Sequence, residues 1–193
     1  MKPEKVNHYE IGLKSQWLDR RLTFNLSAYW TDISDYQATV TNGQLGVLRG
    51  YLANADKVRV RGLELDLAGK PTNRLSLYAN AAFTDATYVR FTDAPCPPEL
   101  SGGTAADATH PASAPGTPGG RSPASCNISG QWLPGVSRWA VSYGADYSLP
   151  GKLLSQDGSF YLGADASSRT RFSSNPSRSA YTDINGYTLV NFR

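Results

Sequence analysis

Two carboxylates come first among the residues that could do chemistry. Glu64 and Asp66 stand two residues apart in Gly62-Leu63-Glu64-Leu65-Asp66-Leu67. Acid–base catalysis needs two such groups converging on one reacting bond. Alternation with leucine instead lays them side by side on one face of a strand, which suits charge lining a wall. The histidines, His8 and His110, and the cysteines, Cys96 and Cys126, fall at no metal-ligand spacing. The chain has no GxSxG elbow, P-loop, GxGxxG or HExxH run. No catalytic residue, metal or cofactor is therefore expected. Cys96 and Cys126 flank a stretch rich in Pro, Gly, Ala and Ser, where a loop-closing disulfide in an oxidising compartment is expected, with two free thiols as the alternative. A last set is suited to binding: Tyr36, Arg49, Tyr51, Arg90, Trp132, Arg169, Arg171 and Arg178. Guanidinium groups and aromatic rings suit anionic or ring-bearing small molecules.

The elements that must position these residues are strands. The 193 residues include 18 Gly and 11 Tyr, and only 18% are charged, a balance that favours a β protein over a helical one. The net charge is +3 and no run of five basic residues occurs, so a nucleic-acid partner is not indicated. Period-two alternation recurs in six segments, 7–17, 21–31, 56–69, 75–83, 138–149 and 159–166, and a seventh run, 186–193, is strand-like with ambiguous faces. In 56–69, Val58 and Val60 have one parity while Leu63, Leu65 and Leu67 have the other. A β-bulge at Gly62 would restore a single apolar face. Lys57, Arg59 and Arg61 then form one polar strand face.

Connections alternate in length. Residues 18–21 and 71–74 are short and 150–158 moderate, whereas 40–55, 91–137 and 173–185 are long. That alternation predicts an all-β antiparallel transmembrane barrel segment with short periplasmic turns and long extracellular loops, the longest at 92–135. No window approaches 18 apolar residues, so no transmembrane helix is expected. An apolar band about 25 Å tall takes about ten tilted residues, with aromatics at both ends. Tyr9 and Trp17 are eight residues apart, as are Trp139 and Tyr147; Trp30 and Phe83 lie eight beyond Leu22 and Leu75. These six aromatics predict two lipid-interface girdles. The binding residues above then lie near the extracellular rim, where contact with lipopolysaccharide or plain hydration is the alternative to ligand contact.

Several stretches resemble the barrel of TonB-dependent outer-membrane receptors. They are YEIGLKSQWLDRRLTFNLSAYWTDISDYQ (9–37), NADKVRVRGLELDL (54–67), LSLYANAAFTDATYVRF (75–91), LPGVSRWAVSYGADYSLP (133–150) and GYTLVNFR (186–193), in the family's order. The resemblance implies part of a barrel of the 22-stranded class around an N-terminal plug. It also implies TonB as a partner through that plug, and a small-molecule ligand such as an iron chelate, cobalamin, haem or sugar. Plug, TonB box and a closing strand with a terminal aromatic are absent here, and seven strands fall below the eight of the smallest outer-membrane barrels. The chain is therefore expected to be a segment of the barrel and not transport-competent alone. A passive porin, which would conduct without a plug, is one alternative. A soluble β-sandwich carbohydrate-binding module, whose aromatics would form one patch, is the other.

Overall fold

The computed structural model describes residues 1–41, 50–94, 126–153, 156–175 and 180–193. Seven strands form one antiparallel sheet in the order β1-β2-β3-β4-β5-β6-β9. They are β1 (Lys5–Trp17), β2 (Leu22–Thr41), β3 (Gly50–Gly69), β4 (Leu75–Arg90), β5 (Trp139–Leu153), β6 (Gln156–Arg169) and β9 (Tyr187–Phe192). A small ribbon pairs β7 (Phe172–Ser173) with β8 (Asp183–Ile184). All seven segments expected as strands are strands of the sheet, whose edges are β1 and β9.

Between strands at one end the connections are tight. Leu18, Asp19 and Arg20 all take positive φ (55°, 52° and 67°). Arg21 N–H closes the turn on the Leu18 carbonyl at 3.0 Å. After β3, the Thr72 hydroxyl accepts from the amides of Arg74 and Leu75. The expected moderate connection at 150–158 is shorter still. β5 and β6 stay paired through Pro150–Ser159 to Leu153–Gln156, because that polar run keeps its ladder bonds.

Along the lower part of the sheet one face is apolar and the other polar, as side chains of period two demand. Leu13, Leu26, Leu65, Ala81 and Val141 form a single cross-strand row on the apolar face. That face is uncovered: Leu13 is 55% exposed and Leu162 65%. Among the described residues no second sheet packs on it, as a β-sandwich would require. The polar face is concave. A recess of about 570 Å³ on it is bordered by Glu64, Asp66, Asn80, Ser142, Arg169 and Tyr187.

The expected bulge at Gly62 is absent. Gly62 pairs regularly with Tyr29 on one side and Thr84 on the other, and the register break in β3 falls at Lys57/Val58 instead. The conflicting parities have another cause: the faces exchange polarity. Below Gly62 the leucines are convex. Beyond it the convex side carries Arg61 and Arg59, paired with Trp30 and Asp32, while Val58 and Val60 turn to the concave side. Strand structure also persists into the expected 40–55 connection, since β2 runs on to Thr41 and β3 begins at Gly50, and β4 outruns its 75–83 alternation to end at Arg90. Alternation failed to reveal this extension because it slips by one residue at Asp35, which has φ 56°, opposite Asp56. Ile33 and Tyr36, three residues apart, thereby join one core, as do Val58 and Ala55.

Candidate functional site

Three surfaces carry the functional side chains: the concave wall, the covered extension above it and the convex rim.

On the concave wall, alternation sets polar groups at neighbouring heights on successive strands. Arg193 donates to Asp165 at 2.7 Å and to Asp146 at 2.9 Å, and Asn191 donates to Asp165 at 2.9 Å. The His8 Nδ1 lies 2.7 Å from the Thr31 hydroxyl. Glu64 and Asp66 are exposed on this wall, side by side along β3. Charge-assisted bonds of this kind hold strand register and present a hydrated, sign-mixed surface. Among the described residues no three His, Cys, Asp or Glu side chains gather as a metal site would require.

Above it, the concave side is closed by residues 126–136. The Tyr88 amide donates to Gln131 O at 2.8 Å, the Gly130 amide to Tyr88 O at 2.7 Å and the Leu133 amide to Ala86 O at 2.9 Å. The segment thus continues the sheet beside the outer half of β4. Gly130 makes its turn at φ 81°, where a side chain would be strained. Ile128 and Leu133 are driven into a core with Val40, Ala55, Val58, Ala86 and Tyr88. Burial pushes the phenols of Tyr88 and Tyr36 up from their ordinary range, so both stay neutral. Both lie several residues beyond the aromatic rows described next. Cys126 is disulfide-bonded and its backbone pairs with Ala94; Cys96 lies outside the described residues.

On the convex side the six expected girdle aromatics share the face of the leucines. Tyr9 pairs directly with Trp30 and Phe83 with Trp139, the latter rings 5.0 Å apart. At the other end Trp17 pairs with Leu22 and Tyr147 with Leu75. Immediately beyond the Trp30 row sits a cluster that sequence reasoning missed. The Arg59 guanidinium stacks 4.5 Å from the Trp30 ring, with Arg61 at 5.5 Å. Arg138 lies 4.8 Å from the Trp132 ring and 5.5 Å from that of Phe83. Lys57 and Arg59 share Asp32 (3.3 and 2.8 Å), and Arg61 and Arg138 share Asp85 (2.9 and 3.7 Å). The available signal was phase: without a bulge at Gly62, Arg59 and Arg61 keep the parity of Leu63.

The residues expected to bind ligand do not meet at one point. Tyr36 lies in the extension core, edge-on to Tyr88 at 6.5 Å. Arg90 pairs with Asp56 at 3.0 Å. Arg169 borders the concave recess and stacks on Phe172 at 5.8 Å. Trp132 is on the convex side beside Arg138, and Arg171 lies next to it while pairing with Asp183 at 3.7 Å. Tyr51 is a β3 residue opposite Val40. Arg49 and Arg178 lie outside the described residues.

Comparison with known proteins places this geometry. The family model described as "TonB dependent receptor-like, beta-barrel" matches residues 1–193. The probable TonB-dependent receptor BfrD of Bordetella pertussis is 31% identical over 161 residues, covering 83% of this chain and 17% of that protein. The ferric-pyoverdine M114 receptor PbuA of Pseudomonas sp. (strain M114) is 30% identical over 97 residues, covering 49% of this chain and 11% of that protein. The crystal structure of the ferric yersiniabactin uptake receptor FyuA from Yersinia pestis superposes with a TM-score of 0.62 at 14% identity, over 98% of this chain and 22% of that one, a likeness of fold. The chain thus spans a small part of the length of each of these proteins. Its meandering antiparallel sheet, polar on the concave side and apolar on the convex, belongs to the TonB-dependent receptor-like β-barrel family.

Proposed function

We propose that this chain forms part of the wall of an outer-membrane receptor for TonB-energised uptake of a ferric chelate. The observation that carries the reading is the uncovered leucine face bounded at both ends by aromatics. Eight residues separate Tyr9 from Trp17 and Trp139 from Tyr147. That spacing matches the roughly ten tilted residues that cross the apolar band of an outer-membrane barrel. An apolar face this exposed would drive aggregation in water, whereas in lipid it is satisfied.

On this reading the strands enter lipid between Trp17 and Tyr9, and β2 to β4 project well beyond it toward the cell exterior. The concave wall, with Arg193, Asp146 and Asp165, then faces the lumen and the plug. The 92–135 loop and Arg169, at the border of the concave recess, face arriving ligand. Ferric chelates are the favoured ligand class because two of the matched proteins carry ferric ligands in their names. TonB acts through the plug of the complete receptor. The Cys96–Cys126 pair ties the two ends of that loop.

The test is uptake. A strain deleted for the encoding gene is supplied with iron-55 bound to catecholate, hydroxamate or mixed chelators, with and without functional TonB. TonB-dependent accumulation of one chelate, restored by the gene, supports the reading. Equal uptake without TonB would overturn it in favour of a passive channel.

A further inference from the structure

The convex rim cluster is not explained by uptake, because it lies on the side of the wall away from the lumen. Four cations, Lys57, Arg59, Arg61 and Arg138, share two carboxylates, Asp32 and Asp85. The group therefore keeps an excess of two positive charges. Arg59 and Arg61 are stacked over Trp30, and Arg138 bridges Phe83 and Trp132. Stacking fixes the planar guanidinium; Arg59 and Arg61 give their Nε sides to Asp32 and Asp85, and the outer Nη1–Nη2 side is what remains to bind an anion.

A shallow hollow adjoins this group, bordered by Phe83, Trp132, Arg138, Trp139, Thr170 and Arg171. It has an aromatic floor and a basic upper margin. The concave side at the same height is sealed by the core around Val58, Ala86 and Tyr88. An anion held here is thus shut off from the lumen. It sits where the leucine face ends and the polar face begins, which is the level of lipid headgroups.

We infer that Arg59, Arg61 and Arg138, with the Phe83–Trp139 hollow beneath them, form a docking site for the phosphate-bearing headgroup of an outer-leaflet glycolipid. The phosphate satisfies the excess charge, and the sugar and upper acyl segments lie on the rings. This rests on the outer-membrane reading above. The choice of phosphate over a carboxylate headgroup follows from the number of cations: a doubly charged group matches an excess of two. Arginine, unlike lysine, gives such a group a bidentate fork.

The site is tested on protein extracted from outer membranes in mild detergent and reconstituted into phosphatidylcholine vesicles, with or without lipopolysaccharide. Insertion is read by heat-modifiable migration, and lipid retention by the glycolipid sugar that stays with the protein after detergent extraction and gel filtration in rising salt. The paired variant R61Q/R138Q keeps size and hydrogen bonding while removing two charges. Wild-type protein should retain lipopolysaccharide, and the variant should insert normally yet retain it about thirtyfold less tightly. R61K/R138K should recover part of the loss, since charge returns without the fork. Normal insertion with equal retention by wild type and R61Q/R138Q would overturn the site alone. Failure of the wild type to insert would overturn the membrane reading and the site with it. Equal retention of phosphate-free glycolipid would show that the rings, not the arginines, do the binding, and would also overturn it.

Discussion

Tyr29 lies across the face of Gly62, its ladder partner on the next strand. A Cβ on Gly62 would stand 2.6 Å from the Tyr29 hydroxyl oxygen and would overlap the Phe83 carbonyl. The glycine is therefore a socket for the ring, whose hydroxyl reaches Thr84 on the strand beyond at 3.1 Å. Tyr78 and Gly144 repeat the arrangement between β4 and β5, where a Cβ would meet the Tyr78 ring at 2.6 Å. Two tyrosines of the concave face are thus laid flat against the wall over residues that lack a side chain.

The socket gives the first expectation. Gly62→Ala forces the ring off its seat or the strand out of register, and overpacking of this kind costs about 1–3 kcal/mol. The double change Gly62→Ala with Tyr29→Ser should recover only part of the loss, because the methyl strikes the Phe83 carbonyl as well as the ring. Urea midpoints of the membrane-assembled protein check this. If the single and double variants are equally unstable, the Phe83 carbonyl and not the ring sets the constraint.

Neighbouring residues on β2 should respond oppositely to the same change. Leu26 is convex, midway between Leu22 and Trp30, and Asn25 is concave, opposite Asp66. Leu26→Arg places a charge at mid-depth in lipid at a cost of about 2–4 kcal/mol, whereas a lumen-facing charge is far cheaper. Asn25→Arg also gains an acidic neighbour. The amount of heat-modifiable protein in outer membranes should fall sharply for the first variant and hold for the second. Equal losses would argue against lipid on the leucine face.

How far the sequence discloses this arrangement depends on the range of the contacts involved. Leu63, Leu65 and Leu67 announce their face because alternation is local and the surroundings are uniform along the strand. Val58 and Val60 do not. Their opposite phase is consistent with a bulge or with an exchange of faces, and only the packing of Ile128 and Leu133, some seventy residues away, decides between them. The slip at Asp35 hides the outer halves of β2 and β3 for a related reason, since it breaks the very pattern by which strands are recognised. Trp30 is recognisable as a girdle aromatic from its spacing. That Arg59 stacks on it follows only from the β2–β3 register, which no single strand encodes. The rim residues are recognisable in the sequence only by type and nearness to loops, and residue type does not say which side of a wall a side chain occupies.

The Leu18-Asp19-Arg20 turn should be improvable. Three consecutive non-glycine residues sit at positive φ, a conformation that disfavours side chains with a Cβ. Arg20→Gly relieves one of them and should raise stability by roughly 0.5–1 kcal/mol, even after the added freedom of the unfolded chain. Leu18→Val should lower it, because branching at Cβ worsens the same clash. A matched pair of urea midpoints, one shifted up and one down, is the expected result. Shifts in the same direction would mean that packing of the side chains, not backbone strain, governs the turn.

The covered extension should open as a unit when its centre is removed. Tyr88 is almost fully buried, flanked by Phe91 at 5.3 Å and Tyr36 at 6.5 Å. Tyr88→Ala leaves a large cavity and costs about 3–5 kcal/mol in that local core. Residues 126–136 are held to the sheet through β4 amides and through Ile128 and Leu133, so they lose their seat first. The lower sheet draws its stability from other contacts and is unaffected. Hydrogen exchange should therefore quicken by orders of magnitude at Gln131 and Leu133 while Leu65 and Val141 keep their protection. Uniform acceleration across both regions would show instead that extension and wall unfold together, and that the exchange of faces at Gly62 marks no boundary in stability.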